Sequence, residues 1–261
     1  IKPIIGQEFY IAEGSRFDKT KDNKIFHLIL IALNNEGYKN LIKLSSLAYL
    51  EGFYKKPRID IELLQKYNKG LICLTACLAG EIPYYAKLAY DNKNYEKAFK
   101  KALTKYLDIF GTERLFLEIM DHKIEDEKKV ALKFEEISKN YGLNLIITND
   151  NHFLNKEDFK YHDFMLAVQT GDNINNNNRF KFESDQMYFK NYDEMKILFP
   201  YLDEKVKNDA LKNTLLIYEM VDLKFEFGKY YLPEFKLPEN ISPSEYLKNI
   251  AIEGLKKKYG N

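Results

Sequence analysis

Apolar and polar positions along this chain fall into blocks whose period switches between two and about 3.6. "PIIGQEFYIA" (3–12) reads as a strand, and a polar loop around 12–23 follows it. "KIFHLILIAL" (24–33) is dense in β-branched and apolar residues and predicts a second, fully buried strand. Residues 36–51 carry a helical pattern with Leu41, Leu44 and Leu50 among its apolar positions, and "GLICLTA" (70–76) reads as a strand. A helix from about 94 to 110 places Phe99, Leu103, Tyr106, Leu107 and Phe110 on one stripe. "RLFLEIMD" (114–121) is another strand. The helix at 125–141 aligns Val130, Phe134, Ile137 and Tyr141, and "LNLIITN" (143–149) closes the series. Strands separated by helices of this length predict right-handed β-α units in a mostly parallel sheet or barrel. In such folds the chemistry lies at the carboxyl ends of the strands.

After about residue 155 the pattern changes. A helix carrying His162 gives way to "GDNINNNNRF", whose four consecutive asparagines mark an exposed loop. A short strand "MYFK" (187–190) and a helix at 203–220 come next. Prolines break up "YYLPEFKLPENISPSEYL", and Ser242, Pro243 and Glu245 form a capping-box start for a last helix, Tyr246 to Tyr259. The expected division is therefore 1–220 as one α/β domain and 221–261 as a linker with a helix.

Composition narrows the class. At 261 residues, 45% hydrophobic and 30% charged, the chain is a globular protein with one good core. Forty basic residues against thirty-nine acidic ones remove any bulk electrostatic sign of nucleic-acid binding, so such contacts would be local. Cys73 and Cys77 are the only cysteines, which fits a reducing cytoplasm rather than a disulfide framework. No apolar run approaches the roughly 20 residues of a membrane span. The chain opens inside a strand signal without a methionine, so the expectation is a fragment whose N-terminal portion is missing.

Candidate chemistry sits where the strands run out. Metals of the zinc and manganese type take Asp, Glu, His and Cys converging from different elements. Glu8 lies on the first strand, His27 on the second, Cys77 just past "GLICLTA", and Asp150 and His152 past the last. In extended backbone Asp150 and His152 project to one face, where they either share a metal or are hydrogen-bonded to each other. His122, after "RLFLEIMD", is a further ligand or substrate contact. His162 reads as a half-exposed helix residue and Cys73 as core. In "YKKPRID" (54–60), Lys56 and Arg58 beside Tyr54 suit phosphate contact or a solvated loop. The lysines of the 94–110 helix and Lys256 to Lys258 read as solvated charge.

These stretches together resemble a known family. "KPIIGQEFYIA", "HLILIALNNEGYKNLIKLSSLAYLEGFYKKPRID", "GLICLTACLAGEI" and "TNDNHFL" are similar to blocks of the PHP (polymerase and histidinol phosphatase) domain of the bacterial DNA polymerase III alpha subunits. "QTGDNI…RFKFESDQMYFKNYDEM" and "ALKNTLLIYEMV…FGKYYLPEF" resemble the lead-in to the polymerase palm of that family. The resemblance implies a distorted, TIM-like β/α barrel lacking its first strands, followed by a helical extension. It implies Glu8, His27, Cys77, Asp150 and His152 as ligands of a zinc or manganese cluster. It also implies a metal-dependent phosphoesterase or 3′–5′ exonuclease activity in a parent that synthesises DNA. Magnesium at the palm would lie outside this chain. So would the family's His-x-His pair and the palm carboxylates, leaving the fragment by itself without polymerase chemistry. Implied partners are primer-template DNA, the proofreading exonuclease subunit, the sliding clamp and other replisome subunits. The alternative is a catalytically silent docking module for the proofreading subunit. A free-standing phosphatase is disfavoured because it has no need of the 232–260 tail.

Overall fold

The computed structural model describes residues 2–230, 232, 233, 235–238 and 240–260. They form two compact units, 1–224 and 225–261. The first opens with strands β1 (Gly6–Ala12) and β2 (Ile25–Ala32), helix α1 (Asn35–Leu50), strand β3 (Arg58–Ile59) and helix α2 (Ile61–Tyr67). Strand β4 (Leu71–Leu74), helices α3 (Glu81–Asp91) and α4 (Glu96–Arg114), strand β5 (Leu115–Ile119), helix α5 (Glu125–Tyr141) and strand β6 (Asn144–Ile147) follow. Helices α6 (Phe159–Thr170), α7 (Tyr192–Lys196) and α8 (Glu204–Met220) complete that unit. The second unit carries α9 (Pro243–Tyr259), which Ser242 caps by accepting the Glu245 N–H, while Phe235 stacks on Tyr246.

The six strands form one open sheet in the order β3-β1-β2-β4-β5-β6. This is an α/β architecture, and the sheet is mostly parallel: five of its six strands run one way and β2 alone is reversed. β2 runs antiparallel to both β1 and β4, and only β1/β3, β4/β5 and β5/β6 are parallel. The reason is local: β1 returns into β2 through a loop with no helix in it, and an antiparallel pair needs no crossover. "MYFK" does not form a strand; Tyr188 makes a single bridge to Phe153. Two short elements, β3 and α2, and the helix α3 lay below the resolution of the hydrophobic pattern.

Side-chain parity decides what each face of the sheet does. Along β2, Phe26, Leu28, Leu30 and Ala32 are buried while His27, Ile29 and Ile31 are half-buried. The strand is thus buried on one face only, not on both as expected. Those buried residues join Phe9, Ile11, Cys73, Leu115 and Leu117 in the main core under α1, α3, α4 and α5. Ile72, Leu74, Phe116 and Ile146 point to the other face, against Ile217, Val221 and Leu223 at the end of α8. Because directly paired residues share a face, the Tyr10–His27 and Glu8–Ile29 pairs place Glu8 and His27 on this second face. The helix stripes behave as read, with Phe99, Leu103, Tyr106 and Phe110 buried, as are Val130, Phe134 and Ile137. Leu50 and Tyr141 do not; both sit at helix ends and are exposed.

Candidate metal centre

The reversed direction of β2 explains where its histidine lies. Its amino end reaches the sheet edge at which β4, β5 and β6 finish, so His27 meets residues from the carboxyl ends of its neighbours. Beyond β4 the chain turns sharply, with Ala76 in the left-handed region at φ 63°. The amide of Gly80 donates to Cys77 O, and that of His27 donates to Ala79 O, which sews the turn onto β2. Cys77 is thereby held with Sγ 3.9 Å from His27 Nδ1, and Glu8 Oε1 stands 2.7 Å from the same nitrogen. One donor atom each from Glu8, His27 and Cys77 lies within 4.8 Å of the others.

A carboxylate, an imidazole and a thiol at this spacing are a donor set that fits a borderline divalent cation. Their electrostatics agree. His27 is pushed up to about 10, first by its contact with the Cys77 sulfur and then by the Glu8 carboxylate. Glu8 is held below the usual carboxylate range, chiefly by its hydrogen bond to His27. The proton on His27 therefore occupies the position between two electron-rich groups that a cation would take.

Gly80 sets this geometry. A Cβ built there would lie 2.0 Å from the carbonyl oxygen of Thr75, closer than any real contact. Gly80→Ala is expected to prise the 75–80 turn open, move Cys77 away from His27 and weaken divalent-metal binding at least tenfold. Calorimetric zinc titration checks this.

Asp150 and His152 form a second pair on the adjoining edge. His152 Nε2 is 3.4 Å from Asp150 Oδ2, and the His152 amide donates to Met187 O. The ring packs 4.6 Å from Phe182 and 5.4 Å from His162. His162, half-buried on α6, thus stands against His152. The structure groups three of the five sequence candidates closely and sets the other two beside them as a pair.

The remaining candidates divide. Lys56 is exposed, its Nζ 5.2 Å over the ring of Tyr10, which in turn packs edge-on against His27 at 5.1 Å. Arg58 is not in a loop and is not open to phosphate. It lies on β3, fully buried, and its guanidinium donates to the carbonyls of Gly52, Asp18 and Arg16. His122 is likewise out of reach of a substrate at 1% exposure. Its Nδ1 and its amide both engage Glu127 at 2.7 Å, and its carbonyl accepts from Ser184 Oγ, so it braces β5 against α5.

One residue of this face escaped sequence reasoning. Glu118 on β5 is fully buried and pushed up to about 7 by burial, with Glu8 and Asp150 adding smaller pushes. Its Oε1 accepts from Thr148 Oγ1 at 2.7 Å and its Oε2 is buried with no partner. The available signal was a lone acid inside the apolar run "LFLEIM".

The PHP domain family matches residues 1–122. Over 99% of its length the chain is 38% identical to the DNA polymerase III subunit alpha of Thermus aquaticus, of which it covers 21%. It is 41% identical to that of Borreliella burgdorferi over its full length and 41% identical to that of Aquifex aeolicus over 99%, covering 22% and 23% of them. Residues 1–122 form a PHP domain, and along nearly its whole length the chain is similar to DNA polymerase III alpha subunits. It spans between a fifth and a quarter of the length of these relatives. Among the described residues no helix is long and apolar enough to cross a membrane.

Proposed function

We propose that the PHP domain of this chain holds divalent zinc or manganese through Glu8, His27 and Cys77, completed by Asp150 and His152, and serves phosphodiester hydrolysis of the 3′–5′ exonuclease type. The observation that carries this reading is the convergence of three donor atoms within 4.8 Å from β1, β2 and the turn after β4. A divalent cation at such a site supplies Lewis acidity toward a phosphoryl oxygen and acidifies water. The chain's own residues do the rest. Tyr10 and the turn sewn to β2 fix the His27 ring, and His152 N–H···Met187 O fixes the second pair. Lys56 offers a positive charge beside Tyr10 to an approaching phosphate.

By kinship with the alpha subunits, we further propose that the full-length protein performs DNA-templated DNA synthesis in the cytoplasm. Its partners would be primer-template DNA, a proofreading subunit and a sliding clamp, with magnesium at a palm outside this chain. In that protein, replacing Asp150 and His152 together should abolish manganese-dependent shortening of a single-stranded oligonucleotide while primer extension continues. Unchanged shortening would remove those two residues from the site. The docking-module reading draws on a different observation: α6 leaves Tyr161, Phe164, Met165 and Val168 exposed. It expects no hydrolysis by the unmodified protein, and loss of proofreading-subunit binding when these four are made polar.

A further inference from the structure

A groove of about 560 Å³ opens beside the metal edge, between the start of α5, residues 186–190 and the turn before α8. Four lysines line it: Lys123, Lys128, Lys156 and Lys190. Three acids line it too, but two are already committed. Asp121 accepts the amides of Lys123 and Phe199, and Glu194 accepts the amide of Asn191 and the Tyr188 hydroxyl. Three of the lysines are far less engaged. Lys156 reaches only Asp185, at 3.5 Å, and Lys123 and Lys128 make no ion pair among the described residues. Lys190 is buried at 8% exposure and donates to Gln186 O and, at 3.0 Å, to Asn149 Oδ1, which ties the groove to the residue next to Asp150.

Two tyrosines complete the lining. Tyr188 lies under Lys190 at 4.4 Å and Tyr201 under Lys128 at 5.6 Å, both half-buried. Tyr201 lines the groove, while its hydroxyl is buried without a hydrogen-bond partner, near Asp121, Glu125 and Glu127. Lysines that track phosphates, interleaved with aromatic faces for bases, are the combination that single-stranded nucleic acid requires. The volume suits one or two nucleotides.

We propose that this groove binds the phosphates of a single-stranded nucleotide chain, with Lys123, Lys128 and Lys190 as phosphate contacts and Tyr188 and Tyr201 as base platforms. It rests on the phosphodiester reading of the adjoining centre, for which it would be the approach.

The test is fluorescence anisotropy of a labelled oligothymidylate with the whole 261-residue chain in EDTA. The double variant Lys123→Glu, Lys128→Glu should bind about tenfold more weakly or worse. Its plot of log affinity against log salt should be shallower by about 1.4, at roughly 0.7 per phosphate contact on single strands. Tyr201→Leu, which removes a base platform, should weaken binding severalfold. Unlabelled oligothymidylate and thymidine monophosphate should displace the probe at concentrations where inorganic phosphate and a phosphopeptide do not. Wild-type affinity in the double variant with an unchanged circular dichroism spectrum would overturn the proposal, as would equal displacement by inorganic phosphate or phosphopeptide. His27→Ala separates the two readings. It should lose metal and keep oligonucleotide binding in EDTA, so failure at the metal centre leaves this measurement standing.

Discussion

Arg58→Ala is expected to destabilise the first unit by about 3–5 kcal/mol. The side chain is fully buried, and its Nε, Nη1 and Nη2 donate to Gly52 O, Asp18 O and Arg16 O at 2.9, 3.0 and 2.9 Å. Removing it takes the donor from the Gly52 and Arg16 carbonyls, while Asp18 O keeps the Asn23 side-chain amide, and unmade bonds in a dry environment cost the full desolvation of each group. The effect should spread, because Arg16 itself bonds Asp60, the N-cap of α2, through Nη1 at 3.0 Å. Arg58→Lys should recover little, since a single ammonium lacks the fork that reaches three acceptors. Urea unfolding followed by circular dichroism reads this out. A loss below about 1 kcal/mol would contradict the account of Arg58 as an internal clamp.

Glu118→Gln should act in the opposite direction at alkaline pH. Burial raises the folded-state pKa of Glu118 from 4.5 to about 7. A raised pKa means the folded state holds the proton more tightly than the unfolded state. The associated stability is present below pH 4.5 and drains away as pH rises to 7. Above that the carboxylate is ionised while fully buried, with Oε2 unpartnered. At about 1.4 kcal/mol per pKa unit the penalty is about 3 kcal/mol, less what a buried amide costs in its place. In EDTA the variant should exceed the wild type by about 2 kcal/mol at pH 8 and lose that advantage at pH 5. Equal urea midpoints for the two proteins at both pH values would contradict this.

How far the sequence could be read follows from what each signal encodes. Period-3.6 stripes such as Val130, Phe134 and Ile137 report burial directly, and α5 matches its expected 125–141 limits. The density of "IFHLILIA" gave the strand but not its parity, because half-buried Ile29 and Ile31 look the same in composition as buried Leu28 and Leu30. The antiparallel direction of β2 was equally hidden, since strand direction is set by the connecting loop and not by the strand. Glu8, His27 and Cys77 were legible as ligand-capable residues at strand ends, while their approach to one nitrogen depended on Ala76 and Gly80 in the turn after β4. Arg58 misled because a basic residue in a Lys-rich stretch advertises a surface; nothing in "YKKPRID" reveals three carbonyls waiting for it. His122 misled because it stands just past a strand end, where its partner Glu127, five residues on, does not show in the pattern.

The central claim is that Glu8, His27 and Cys77 form a metal-binding set. Isothermal titration of zinc into the 261-residue chain, set beside the double variant His27→Ala, Cys77→Ser, tests it most directly. The wild type should bind zinc with proton release, because His27 is held protonated near pH 10 and must lose that proton to coordinate. Its affinity should rise by up to about tenfold per pH unit across the neutral range, and the double variant should lose binding at this site. Equal zinc affinity in the two proteins, or binding by the wild type without proton release, would contradict the assignment.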